Sequence, residues 1–134
     1  MIQIPQGFRL GAANADFRGK HLDRNDLSLT FSDVPATVAG VFTTNLFRAA
    51  PVLVSEEHIK KVGDKGVRGV LFNSGQANAC TGETGRENCL RTLDMVRDAL
   101  KDAGVNVSSG DLLPASTGVI GAQMPMDKWA SALR

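Results

Sequence analysis

Residues 67–104 read VRGVLFNSGQANACTGETGRENCLRTLDMVRDALKDAG. The opening VRGVLF, residues 67–72, is a short, mostly apolar run suited to a buried strand. The remainder predicts a helix over residues 85–103. Leu90, Leu93, Val96 and Leu100 recur at three- and four-residue steps and make one apolar stripe. Thr84 and Glu87 stand at capping-box spacing, where a hydroxyl and a carboxylate satisfy the orphan N–H groups of a helix start. Glu87 with Arg91, and Asp98 with Lys101, can pair across the outer face, each pair contributing ~0.2–0.5 kcal/mol. Gly104 stands where a left-handed residue closes a helix. A strand, a loop and an amphipathic helix in sequence point to an α/β class.

Working outward, residues 26–31 (DLSLTF) alternate, with Leu27, Leu29 and Phe31 on one face of a half-buried strand. After the turn-like Ser32-Asp33-Val34-Pro35, the stretch ATVAGVFTT is rich in β-branched residues and predicts a second strand near 37–44. AAPVLV, residues 49–54, predicts a third strand near 50–54, with Pro51 at its start or on an edge. Ser55 reads as the N-cap of a short helix, EEHIKKV, stopped by Gly63. A second helix begins at Asp127 after Pro125 and meets no stop signal before Arg134, so the sequence reads as interrupted there. The expected architecture is a mixed sheet from strands near 27–31, 37–44, 50–54 and 67–72, with the 85–103 helix packed on it.

The chain has 134 residues, which at roughly 100–200 residues per domain implies a single domain over 1–134. It is 43% hydrophobic and 22% charged, an ordinary globular balance that argues against intrinsic disorder. Fifteen Lys+Arg stand against 14 Asp+Glu, and a formal charge of +1 creates no field favouring nucleic acid or an anionic membrane. The apolar runs are too short for a membrane span. The first residues, MIQIPQGFRLG, lack the pattern of a secretory or transit peptide. Cys80 and Cys89 are too few for a disulfide framework and have no partners at zinc spacing. Both read as small buried residues in a reducing, cytoplasmic compartment. His21 and His58 are isolated, Trp129 reads as packing, and no nucleophile-elbow, P-loop or dinucleotide motif occurs.

Two stretches stand out chemically. Residues 73–82, NSGQANACTG, consist of small and amide side chains that let backbone approach closely and offer fixed donors and acceptors. Composition alone favours an ordinary turn-rich connection there. In residues 113–121, LPASTGVIG, apolar residues frame a Ser-Thr-Gly step. That step suits an oxyanion hole, whose donors sit ~2.7–3.1 Å from a developing negative oxygen, and equally a strand–turn connection with Gly118 at positive φ.

Taken together, four stretches resemble the ornithine acetyltransferase (ArgJ-type) family, the bifunctional glutamate N-acetyltransferases of arginine biosynthesis. They are PQGFRLGAA at 5–13, SDVPATVAGVFTTNLFRAAPV at 32–52, NSGQANACTG at 73–82 and LPASTGVIGAQMPMD at 113–127. The departure lies in ANADFRGKHLDRND, residues 13–26, where family members usually carry a shorter, lysine-containing segment.

The resemblance implies a self-processing, DmpA/ArgJ-like layered fold of mixed β-sheets flanked by helices, completed by a separate C-terminal chain. This polypeptide would be the N-terminal α-chain portion of an α2β2 heterotetramer. The family's precursor cleaves itself before a threonine, and the β chain then carries that threonine at its N-terminus as nucleophile, its own α-amine serving as base. No segment here resembles the cleavage site, so the nucleophile is absent from this chain, which alone should not catalyse. By family match, Thr117 and Gly118 supply the oxyanion hole. The acetyl group passes from N-acetylornithine to the enzyme and then to glutamate; some members also accept acetyl-coenzyme A. No metal or prosthetic group takes part. A hydrolase or aminopeptidase on the same scaffold, or a non-catalytic scaffold domain, would share these features.

Overall fold

The computed structural model describes residues 3–20 and 23–133, so His21 lies outside the described residues. The alternation of Leu27, Leu29 and Phe31 becomes strand β2, Leu27–Ala36. With β1 (Phe8–Ala13), β3 (Val67–Gln76) and β4 (Leu112–Val119) it forms a four-stranded sheet in the order β1-β2-β3-β4. The first two junctions are antiparallel and the third is parallel, so the sheet is mixed. A parallel partner requires a crossover, and α2 (Gly82–Asp102) provides it between β3 and β4. Helices α1 (Ala50–Val62) and α3 (Met126–Ala132) complete the regular elements, with short 3₁₀ turns at Gly63–Lys65 and Ser109–Asp111.

Register determines which side chains meet. Leu29, Leu71 and Pro114 are paired across the sheet, as are Phe31, Gly69 and Leu112, and these rows share one face. Leu27, Leu71 and Leu112 from that face join Val54 of α1, Cys89, Leu93 and Val96 of α2, and Trp129 of α3 in one buried cluster. The Trp129 ring lies 5.1 Å from that of Phe17, centroid to centroid. Each large apolar side chain buried there contributes roughly 1.5–3 kcal/mol. The opposite face carries the row Ser28, Phe72 and Ala115, and among the described residues no helix covers it. Phe8, Leu10 and Phe72 are 40%, 57% and 43% exposed there.

Mixed sheet and flanking helices agree with expectation, but two strands do not. Residues 37–49 contain no strand. The ladder ends at Ala36, after a register shift between Phe31 and Ala36 that accommodates Pro35. Beyond it, side chains capture the backbone locally: the Asn45 N–H donates to Thr43 Oγ1 at 3.2 Å and the Phe47 N–H to Asn45 Oδ1 at 2.9 Å. Such turns compete with a ladder and outweigh the β-branched composition.

The expected third strand near 50–54 is instead the first part of α1. Pro51 occupies the first helical turn, where its missing N–H costs nothing. Ala50, Val54 and His58 make the buried stripe. Ser55 therefore sits inside the helix and not at its cap; Ala49 is the N-cap.

Helix α2 begins at Gly82, with Thr81 as N-cap and no side-chain capping bond, so the Thr84–Glu87 box does not form. Its other end matches expectation. Gly104, at φ +81°, donates to the Lys101 carbonyl and Val105 to that of Leu100, the paired bonds of a left-handed helix stop. Strand β1, built on Phe8, Leu10 and Ala12, and strand β4 stand outside the four expected sheet strands.

Candidate functional site

The site candidates meet where β3 and β4 run side by side. Register pairs Ser74 with Thr117 and Gly75 with Gly118. Gly118 has φ +135°, and a Cβ there would stand 2.2 Å from the Gly75 carbonyl carbon and 2.5 Å from the Gln76 nitrogen. Only glycine lets the backbones approach this closely. The Ser-Thr-Gly step is thus the end of a strand, and both Thr117 and Gly118 are exposed. Thr117 borders a cleft of about 370 Å³ whose walls include Ser28, Phe72, Ser74, Ala115 and Ser116. Asp26 reaches the same cleft, but its carboxylate is engaged by the backbone N–H groups of Ala15 (2.7 Å) and Phe17 (2.8 Å).

The far side of β4 is an edge, and α1 tends it. Ser55 Oγ donates to the Pro114 carbonyl at 2.8 Å, and His58 Nδ1 lies 2.8 Å from the Leu112 carbonyl. His58, isolated in sequence, is a buried structural side chain. Alternate strand residues turn their backbone groups to opposite edges. The even-numbered set of β4 therefore faces away from β3, and Gly118 and its N–H belong to that set. Val119, from the other set, accepts the Ala77 N–H at 3.0 Å.

Residues 73–82 divide in two. Residues 73–76 finish β3, and residues 77–81 form the connection to α2. The Thr81 hydroxyl donates to Asn78 Oδ1 at 2.7 Å, and Asn78 Nδ2 donates to the Gly85 carbonyl at 2.8 Å. The Asn78 carbonyl accepts the Ala50 N–H at 3.2 Å, joining the starts of α1 and α2. Gly85 leaves room for this knot, since a Cβ there would fall 1.9 Å from Thr81 Oγ1.

The expectation of two buried cysteines holds for one. Cys89 is buried in the core, and burial pushes its thiol up to about 12. Cys80 is exposed, at φ +56°, because the knot pulls Asn78 and Thr81 inward on either side of it. Gln123, which the sequence pattern does not single out, donates from its side chain to the Thr81 carbonyl at 2.8 Å. An amide among apolar neighbours was the available signal. Among the described residues no cluster of His, Cys, Asp and Glu could hold a metal ion, and no helix is long and apolar enough to cross a membrane.

Residues 9–134 match the ArgJ family. The chain belongs to that family. Among curated relatives, the arginine biosynthesis bifunctional protein ArgJ of Nitratidesulfovibrio vulgaris is 52% identical over 132 residues, 98% of this chain and 31% of the relative. The protein of the same name from Thermotoga neapolitana is 43% identical over 130 residues, 97% of this chain and 30% of its own. The chain thus spans about three tenths of the length of these ArgJ relatives.

Solved structures agree on the fold. Mycobacterium tuberculosis ornithine acetyltransferase, crystallised with ornithine, superposes with a TM-score of 0.87 at 37% identity. The match covers 96% of this chain and 65% of that one. The ArgJ protein of Bacillus halodurans gives 0.82 at 30% identity, covering 96% and 62%.

Proposed function

We propose that this ArgJ-family chain is the N-terminal α portion, one domain over 1–134, of an enzyme that moves an acetyl group from N-acetylornithine to glutamate. The remainder of the protein would supply a threonine freed by self-cleavage as the nucleophile, in an α2β2 assembly in the cytoplasm. In the first half-reaction the threonine oxygen attacks the acetyl carbon and its proton passes to the adjacent α-amine. The carbonyl oxygen becomes an oxyanion, the C–N bond breaks, and ornithine leaves with the returned proton. The acetyl ester is then attacked by the glutamate amine through the same sequence in reverse. This chain contributes the Thr117 hydroxyl and Gly118 N–H that receive the oxyanion, and it is inactive without the partner chain.

The observation carrying this reading is the exposed Thr117–Gly118 step, held against Gly75 with its N–H on the edge turned away from β3. Donors fixed in advance stabilise charge without reorganising, and loss of one typically lowers kcat ~10²–10³-fold. In the full-length protein, Thr117→Ala should therefore lower kcat at least about tenfold. Wild-type turnover would remove the role assigned to Thr117. Ornithine release from N-acetylornithine without glutamate would identify a hydrolase. Mass spectrometry finding no second polypeptide that begins with threonine would refute the two-chain mechanism.

A further inference from the structure

Gly118 has no side chain with which to fix its own dihedrals, and glycine loses more conformational freedom on ordering than any other residue. The residues after it do not anchor it by burial, since Val119 is 52% and Ile120 67% exposed. Hydrogen bonds hold this segment instead. On the backbone, Ala77 donates to Val119 at 3.0 Å and Gly121 to Ala79 at 2.8 Å. Side-chain amides extend the hold. Asn73 Nδ2 donates to the Gln76 carbonyl at 2.8 Å, and Gln76 Nε2 donates to the Gln123 carbonyl at 2.6 Å. Gln123 Nε2 then reaches the Thr81 carbonyl, and the Thr81 hydroxyl reaches Asn78. The end of β3, the segment after β4 and the start of α2 are thereby tied in one line. Gln76 is only 8% exposed, so its donor works where water competes little. Its backbone nitrogen also lies 2.5 Å from where a Gly118 Cβ would be.

We propose that Gln76 and Gln123 are positioning residues for acyl transfer, clamping the segment after β4 so that the Thr117–Gly118 step stays oriented toward the oxyanion. This inference rests on the oxyanion reading of that step. It predicts a particular kinetic signature. Breaking either link lets the donors drift, which weakens interactions made only in the transition state, so kcat falls while KM holds. Because both links belong to one line, breaking the second after the first costs little more.

The test is a double-mutant cycle in the full-length protein with Gln76→Met, Gln123→Ala and the double variant, and Thr117→Ala as reference. Gln123 is exposed, so its variant keeps the fold even if Gln76→Met does not. The expected result is a kcat reduced about tenfold in each single variant, a KM within twofold of wild type, and a double variant no worse than the poorer single. Wild-type kcat in folded Gln123→Ala, a change confined to KM, or losses that multiply in the double variant would overturn the proposal. If these variants keep turnover while Thr117→Ala loses it, the clamp alone is wrong. If Thr117→Ala keeps turnover, the oxyanion reading has failed and the clamp with it.

Discussion

Gly118→Ala tests the packing on which the site depends, and its cost can be worked from the structure. The new methyl would sit 2.2 Å from the Gly75 carbonyl carbon, 2.5 Å from the Gln76 nitrogen and 2.5 Å from the Gly75 oxygen. All three atoms are backbone, so no flexible side chain can give way. Restoring ordinary contact at 3.4 Å or more opens the β3–β4 junction by about 1 Å. The Ala77 N–H to Val119 bond, now 3.0 Å, would not survive that displacement. Backbone strain at φ +135° adds ~1–3 kcal/mol, and the broken bond with its unpaired groups ~1–3 kcal/mol. The expected loss is about 2–6 kcal/mol, a large share of a typical stability of about 5–15 kcal/mol.

Gly104→Ala is the natural comparison. That residue also has positive φ, +81°, but a Cβ there meets nothing within 4 Å. It incurs only the left-handed penalty of ~1–2 kcal/mol. Urea unfolding of the two variants in the full-length protein, followed by circular dichroism, separates crowding from strain. The midpoint should fall further for Gly118→Ala at unchanged m. Equal midpoints, or a Gly118→Ala protein with wild-type stability and kcat, would refute the close-approach argument.

Two buried groups, Asn78 and Cys89, give further outcomes. Asn78→Leu strips partners from the Thr81 hydroxyl and the Gly85 carbonyl and should cost about 2–6 kcal/mol, with stability and activity falling together; wild-type stability with a changed KM would instead place Asn78 against substrate. Cys89, raised from 9.0 to about 12, should resist iodoacetamide at pH 8 until urea exposes it, as peptide mapping would show. Its pH effect has a definite sign: the unfolded thiol loses its proton first, so stability declines as pH rises from about 9 toward 12. Cys89→Ala should lessen that decline in urea midpoints.

Elements whose signal is local were legible in the sequence. Alternation at residues 27–31, the apolar run at 67–72 and the stripe on Leu90, Leu93 and Val96 all became what their periodicity implies. Failures arose where two local signals competed. β-branched residues in 37–44 favour a strand, but among the described residues no ladder partner adjoins them, and the Thr43 and Asn45 side chains accept the backbone N–H groups two residues on. In residues 49–54 a proline suits both a strand edge and a first helical turn, and the spacing of Ala50, Val54 and His58 is what makes the segment helical. The Thr117–Gly118 step could be singled out by composition and by family resemblance. Its setting could not, because the Gly75–Gly118 approach and the Gln76–Gln123 link join residues 43 and 47 positions apart through a parallel register that no local pattern encodes.

The same register explains why exposed donors arise at this point of the fold. Of the even-numbered residues in β4, Leu112 donates its N–H to the Ser109 carbonyl, and Pro114 has none to give. Their carbonyls are taken up by His58 and Ser55. Strand alternation leaves Ser116 and Gly118 to supply the remaining outward N–H groups, both beyond the last carbonyl that α1 engages. An edge strand with free donors invites pairing with other strands. Here the open stretch is short, because α1 covers its beginning and the strand ends at Val119. What remains is a stretch with two outward N–H groups, at Ser116 and Gly118, which on the oxyanion reading proposed above is where the charged oxygen would be received. Extending the cover should therefore abolish turnover without unfolding the sheet, whereas removing it at Ser55 should loosen β4 before it touches the chemistry.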